Sequence, residues 1–192
     1  MNLSWHVESL NDLALRILEL ADGARPAVIG VDGHSSSGKT SVAGRIATAM
    51  SETDVLHTDD LAWHQGVFAW DVLLLREVLP VVRAGTPLHY RPPAWRARGR
   101  LGEITLAGGL QCLVIEGVGA TQASFRDELD VAIWVETDEP TRLARDSVRV
   151  AAGEIDFDGY LSWMAEENAH VITQRPWQRA DLLVYGGGLD RT

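Results

Sequence analysis

The apolar positions of this chain recur with two different periods. Leu10, Leu13, Ala14, Ile17, Leu18 and Ala21 fall three and four residues apart, as on an amphipathic helix, with Ser9 and Asp12 as a capping pair and Gly23 at its close. Val28-Ile29-Gly30-Val31-Asp32 is a short apolar run of the kind a buried strand shows, and helical spacing resumes over 40–50 through Val42, Ala43, Ile46, Ala47 and Met50. Further apolar runs occupy 54–58, 110–116, 131–137 and 182–185, with helical patterns at 71–83, 139–150 and 159–173. This alternation predicts an α/β fold, a parallel sheet of about five strands flanked by helices. The stretch 85–109 keeps no period and holds Pro87, Pro92 and Pro93, so it reads as an irregular insertion.

The turn between the first strand and the helix after it carries the chemistry. Gly33-His34-Ser35-Ser36-Ser37-Gly38-Lys39-Thr40 matches the phosphate-loop pattern G-x-x-x-x-G-K-[ST] at every fixed position. Lys39 is the only lysine of the chain, against sixteen arginines. A compact ammonium on a flexible stem suits the β- and γ-phosphates of a nucleotide better than a planar guanidinium does. The candidate nucleotide-binding residues are Gly33, Ser35, Ser36, Ser37, Gly38, Lys39, Thr40 and Ser41. Successive N–H groups and the helix N-terminus would wrap the anion, the Thr40 hydroxyl would face Mg²⁺, and His34 would lend its backbone N–H.

Composition narrows the partners. With 192 residues, 46% of them hydrophobic, the chain suits one domain with a full core. A net charge of −10 and a pI near 5.0 argue against nucleic acid or an anionic membrane and favour a small-molecule substrate. The first 22 residues mix charges among their apolar positions, and no apolar run approaches about 18 residues. A cytoplasmic protein is therefore expected. Cys112 stands alone in an apolar stretch and reads as core.

Carboxylates gather at the predicted strand ends. The second strand runs into His57-Thr58-Asp59-Asp60, and open parallel sheets bind ligands beyond the carboxyl ends of their strands. Asp59 could accept a hydroxyl proton during phosphoryl transfer, or merely cap the next turn with Asp60, which would point the other way on an extended segment. Glu116, ending the third strand, could hold Mg²⁺ or be a solvated strand end, with Gly117 leaving room for a ligand. Arg142, Arg145 and Arg149 share a helical face and could clamp a phosphoryl group, or pair with Glu139 and Asp146 at the surface. Among seven tryptophans, Trp134 and Trp163 fit packing roles, whereas Trp63, Trp70 and Trp95 lie in or beside loops where a face could stack on a ring.

These features in order resemble the uridine kinase-like family of P-loop small-molecule kinases, which includes phosphoribulokinase and bacterial pantothenate kinase. The carriers are the Gly30–Thr40 segment, Thr58-Asp59-Asp60, Phe68-Ala69-Trp70-Asp71, Tyr90, Val114-Ile115-Glu116-Gly117, Thr141-Arg142-Leu143-Ala144-Arg145 and Trp177-Gln178-Arg179-Ala180-Asp181. The resemblance implies a P-loop NTPase fold, a three-layer sandwich of the nucleoside-kinase kind, with an acceptor-site insertion at about 61–109 and a reduced lid at about 142–160. It implies ATP as donor, Asp59 as the base on the acceptor hydroxyl, Thr40 with Glu116 around Mg²⁺, and Asp71 and Tyr90 near the acceptor. Taken with the residue readings above, the expected catalytic residues are Lys39, Asp59, Arg145 and Arg149, the expected metal-holding residues Thr40, Glu116 and Asp59, and the expected acceptor contacts Asp59, Trp63, Asp71, Tyr90 and Trp95. Two departures stand out. Residues 151–158 carry no arginine where the family's lid continues with one, and Arg91 follows Tyr90 where the family has aspartate. The expected activity is transfer of the γ-phosphoryl group to a hydroxyl of a small metabolite, a nucleoside of the uridine or cytidine type first. Pantothenate, a sugar or an antibiotic are alternative acceptors, and an ATP-dependent switch protein is the rival class.

Overall fold

The computed structural model describes residues 10–153 and 157–187. Five parallel strands form the central sheet: β1 (Ala27–Gly33), β2 (Thr53–His57), β5 (Cys112–Glu116), β6 (Val131–Glu136) and β7 (Leu182–Tyr185), in the order β2-β5-β1-β6-β7. A separate antiparallel pair, β3 (Leu88–Tyr90) and β4 (Ile104–Leu106), lies in the insertion. The helices are α1 (Leu10–Leu20), α2 (Lys39–Ala49), α3 (Thr58–Ala62), α4 (Asp71–Leu73), α5 (Leu79–Arg83), α6 (Pro93–Ala97), α7 (Glu139–Ala151) and α8 (Phe157–Gln174). No helix among the described residues is long and apolar enough to cross a membrane.

Alternation along the strands divides the core. Ala27, Ile29 and Val31 of β1 join Val114, Ile133 and Val135 in a layer closed by α1 and α2, through Leu13, Ile17, Val42 and Ile46. Val28, Leu113 and Ile115 face the other layer, closed by Trp70, Leu74, Val78 and Phe125 and by the hairpin residues Leu88, Ile104 and Leu106. The helix expected over 71–83 is present, but Leu74–Val78 is a π-helical turn between α4 and α5. Pro80 has no N–H to give the Arg76 carbonyl, and the wider turn absorbs that lost bond.

Two sequence expectations need correction here. The insertion is not irregular: Leu88, His89 and Tyr90 pair with Leu106, Thr105 and Ile104, and α6 seats Trp95 in the core. Strands of three residues are too short for period-two alternation to stand out. Leu18 of the α1 stripe is exposed, so that stripe is narrower than its spacing suggested. Of the capping pair, Ser9 lies outside the described residues, as do residues 154–156 of the expected lid.

The register of the sheet builds the site. Val31 pairs with Glu116, Gly33 with Val135 and His57 with Glu116, so four strands finish together at one edge. From that edge leave the phosphate loop after β1, helix α3 after β2 and the Gly117 turn after β5.

Candidate functional site

Residues 33–40 bend into a bowl at the N-terminus of α2. Gly33, with φ 155°, has no space for a side chain, because a Cβ there would lie 2.4 Å from the Val135 carbonyl oxygen. Ser36 (φ 57°) and Gly38 (φ 94°) take left-handed conformations, turning successive N–H groups the same way, as an anion nest requires. Lys39 is buried and its Nζ donates to the His34 carbonyl at 2.7 Å, which fixes the ammonium over the bowl.

Helices α7 and α8 hold this loop from outside. Arg145 donates to the carbonyls of Ser36 (2.9 Å) and Gly186 (3.3 Å). The Ser36 hydroxyl donates to Asp146 Oδ1 at 2.5 Å, and Tyr160 donates its hydroxyl to Asp146 Oδ2 at 3.0 Å. Glu167, only 3% exposed, accepts from the Ser35 N–H (3.0 Å) and bonds His34 Nδ1 (2.7 Å) through Oε1, while Oε2 accepts from Trp163 Nε1 at 3.0 Å. Burial alone would raise its pKa, but the His34 bond and the Ser35 N–H outweigh that and hold Glu167 below its ordinary value. Asp146 is thus a buried support of the loop rather than a surface residue.

Across the bowl stand the acidic groups. Thr40 Oγ1 donates to Glu116 Oε1 at 3.2 Å, and Glu116 Oε2 bonds His57 Nδ1 at 2.7 Å. His57 is held above its ordinary pKa, chiefly by that bond. Asp59 and Asp60 occupy the first turn of α3, where helical rather than extended geometry separates them. Asp59 faces the cleft; Asp60 turns away to pair with Arg100 at 2.7 Å. Burial raises the Asp59 pKa, and the Glu116 charge adds to it against the opposing pull of Lys39. Gly117 lines the cleft, and a Cβ there would also lie 1.8 Å from Thr58 Oγ1 at the start of α3. The buried Asp32 carboxylate ties this side together, accepting from the N–H groups of Gly33, Gly119 and Thr121 and from the Thr121 hydroxyl.

Between these walls lies a cavity of about 790 Å³. Of the residues expected in it, Ser35, Ser36, Gly38, Lys39, Thr40, Ser41, Asp59, Glu116, Arg145 and Arg149 line it, while Gly33 and Ser37 lie beneath it as structural members of the loop. Trp63, Asp71, Tyr90 and Trp95 do not line it. Trp95 is core: it is 4% exposed, its Nε1 donates to the Asp60 carbonyl at 2.9 Å, and the Arg100 guanidinium covers its ring at 3.5 Å. The ring face expected to be free is therefore occupied by the chain itself, and Trp70, fully buried, offers none either. Asp71 instead accepts from the Val72 N–H at 2.9 Å, at the start of α4. Arg142 donates to the Thr137 carbonyl at 3.3 Å, outside the cavity.

Sequence reasoning missed His57, Val148, Tyr160 and Trp163, all of which line the cavity. The signal for His57 was its place one residue before Thr58-Asp59. Tyr160 and Trp163 follow a helical period that reads equally well as packing.

No protein-family model matches the chain. Over 186 aligned positions it is 26% identical to a uridine kinase of Latilactobacillus sakei, covering 86% of this chain and 88% of that protein. It is 28% identical to a uridine kinase of Streptococcus gordonii, over 63% of this chain and 66% of the relative. A match at 27% identity to uridine-cytidine kinase B of Dictyostelium discoideum covers 65% of this chain and 58% of that protein. Among solved structures, that of a possible uridine kinase from Bacillus stearothermophilus superposes with a TM-score of 0.57 at 22% identity, over 90% of this chain and 99% of the other. A candidate fructose transport system kinase from Silicibacter sp. TM1040 gives 0.55 at 20% identity, over 92% and 98%. The chain has the fold of the P-loop kinases, and its likeness in sequence runs, at low identity, to the uridine kinase-like group among them.

Proposed function

We propose that this chain is an ATP-dependent kinase that moves the γ-phosphoryl group to a hydroxyl of a nucleoside of the uridine or cytidine type. The observation that carries the reading is the placement of Asp59. It faces the same cavity as the phosphate loop and Lys39, at the carboxyl edge of the sheet, with its pKa raised by burial. A carboxylate so placed can orient an acceptor hydroxyl and take its proton as the bond to phosphorus forms.

The residues present fit a magnesium–polyphosphate group. Gly33 leaves the backbone space that a loop amide nest needs, and the Thr40 hydroxyl meets the Glu116 carboxylate at 3.2 Å, the hard oxygen donors that Mg²⁺ takes. When bound, Mg²⁺ would neutralise charge on the β- and γ-oxygens. Thr40 and Glu116, with Asp59 beside them, would hold it; Lys39 and the loop N–H groups would bind the phosphate oxygens. Arg145 and Arg149, which line the cavity from α7, would face the transferring group, where fixed positive charge stabilises the transition state. Supporting the acceptor class are the relatives named uridine kinase and uridine-cytidine kinase. Incubation with γ-labelled ATP and uridine tests the reading: label is expected in the nucleoside product, and label released only as inorganic phosphate, whatever hydroxylated metabolite is added, overturns it.

A further inference from the structure

The aromatic side chains fall into two groups around the cavity. Trp70 and Trp95 are buried, and Trp63 packs edge-on against His64 and Trp95 with Arg100 beside its ring. Trp163 differs from these. It lies half-buried on α8 and lines the cavity that also holds Lys39, Thr40, Asp59 and Glu116.

Its orientation is fixed by more than packing. The indole N–H is bound to Glu167 Oε2, and the other oxygen of that carboxylate holds His34 and the Ser35 N–H of the phosphate loop. One buried carboxylate therefore sets both the ring and the loop. Tyr160, one helical turn earlier, also lines the cavity, and Asp146 ties its hydroxyl to the Ser36 hydroxyl. Behind Trp163 lies the Phe68 ring, 6.2 Å away and tilted 32°, itself stacked on His170 at 3.7 Å. A ring braced on its edge by a hydrogen bond and neighboured by Phe68, which His170 holds in turn, has little conformational entropy to lose on binding.

We propose that Trp163 is the surface on which a planar heterocycle of the acceptor stacks, with Glu167 as the positioning residue that keeps that surface in register with the phosphate loop. The proposal rests on the kinase reading of the cavity and deepens it. A stacked ring on α8 would direct the rest of the acceptor across the cavity towards Asp59. Stacking is also tolerant of base identity, because each base has a π-face. Uridine and cytidine should then be used alike, and ribose, which lacks a ring of that kind, should be used poorly.

Steady-state transfer by the full chain tests this with uridine, cytidine and ribose as acceptors. Trp163→Leu is expected to raise the KM for uridine and cytidine by about tenfold or more and leave the KM for ATP within about twofold; Trp163→Phe, which keeps a ring, should recover most of the loss. Glu167→Gln should lower kcat by about tenfold with a smaller change in the uridine KM, since the ring remains and its register is lost. Calorimetric titration of uridine into the Trp163→Phe protein with a non-hydrolysable ATP analogue gives an independent readout if Trp163→Leu does not fold; retained uridine binding supports the stack, and its absence there overturns it. A uridine KM unchanged in Trp163→Leu, or an equal rise in the KM for ATP, overturns the proposal. Transfer to ribose but to neither nucleoside overturns the stack and the nucleoside acceptor and leaves ATP-dependent transfer standing, whereas transfer to no acceptor overturns the kinase reading as well.

Discussion

Glu167 offers the sharpest perturbation of the link between α8 and the phosphate loop. Its carboxylate is 3% exposed and holds three groups: His34 Nδ1 at 2.7 Å, the Ser35 N–H at 3.0 Å and Trp163 Nε1 at 3.0 Å. Replacing it with alanine removes all three partners at once. His34 can turn towards water, but the Ser35 N–H and the indole N–H, both part-buried at the cavity wall, lose their acceptor, each at a cost in the lower half of about 1–3 kcal/mol. Glu167→Ala should therefore destabilise by about 2–4 kcal/mol. Glu167→Gln keeps the shape and one acceptor oxygen, so its cost should be about 1–2 kcal/mol. The pH dependence has a definite sign. The folded-state pKa lies below the ordinary 4.5, so the carboxylate contributes stability that is fully present above that value and is lost as pH falls through the folded pKa. Urea unfolding of parent and Glu167→Gln should show a gap that is constant at neutral pH and narrows below about pH 4.5. A Glu167→Ala protein within about 0.5 kcal/mol of the parent at pH 7, or a gap that widens on acidification, refutes this reasoning.

The remaining predictions address other parts of the site. Asp59→Asn should lower turnover by about 10²–10⁴-fold, measured by label transfer to uridine. Gly186→Ala would place a methyl group 1.9 Å from the Ser37 carbonyl, so the phosphate loop must shift. Its thermal midpoint should fall, with about 1–3 kcal/mol lost to overpacking, and MgATP affinity should fall with it. Arg100→Ala removes the guanidinium stacked at 3.5 Å on Trp95 and its 2.7 Å pair with Asp60. That should cost about 1 kcal/mol in urea unfolding and leave MgATP affinity unchanged, since the contact lies outside the cavity.

The sheet was legible in the sequence because buried parallel strands are continuous apolar runs, and those at Val28, Val131 and Leu182 had turn or helix signals on both sides. The phosphate loop was legible because its backbone shape needs glycine and its chemistry needs lysine. The insertion was not, because Leu88-His89-Tyr90 and Ile104-Thr105-Leu106 are short and find their register only in each other. Aromatic residues were the hardest to place. Trp95 and Trp163 both carry an N–H and an apolar body, and what separates them is tertiary: Arg100 folds over the first, whereas Glu167 turns the second to the cavity. The buried carboxylates gave no warning either, since Asp146 and Glu167 sit on helical faces that look like ordinary surface until the loop is laid against them.

The account rests on the grip of the phosphate loop on a nucleotide, and calorimetric titration of MgATP into the parent and Lys39→Ala proteins tests it directly. Binding by the parent is expected in the micromolar to millimolar range, about that of working enzymes for their substrates. Loss of the ammonium should cost about 3 kcal/mol in transition-state stabilisation and weaken that binding. A parent protein that takes up no MgATP, or a Lys39→Ala protein that binds and transfers as the parent does, would contradict the account.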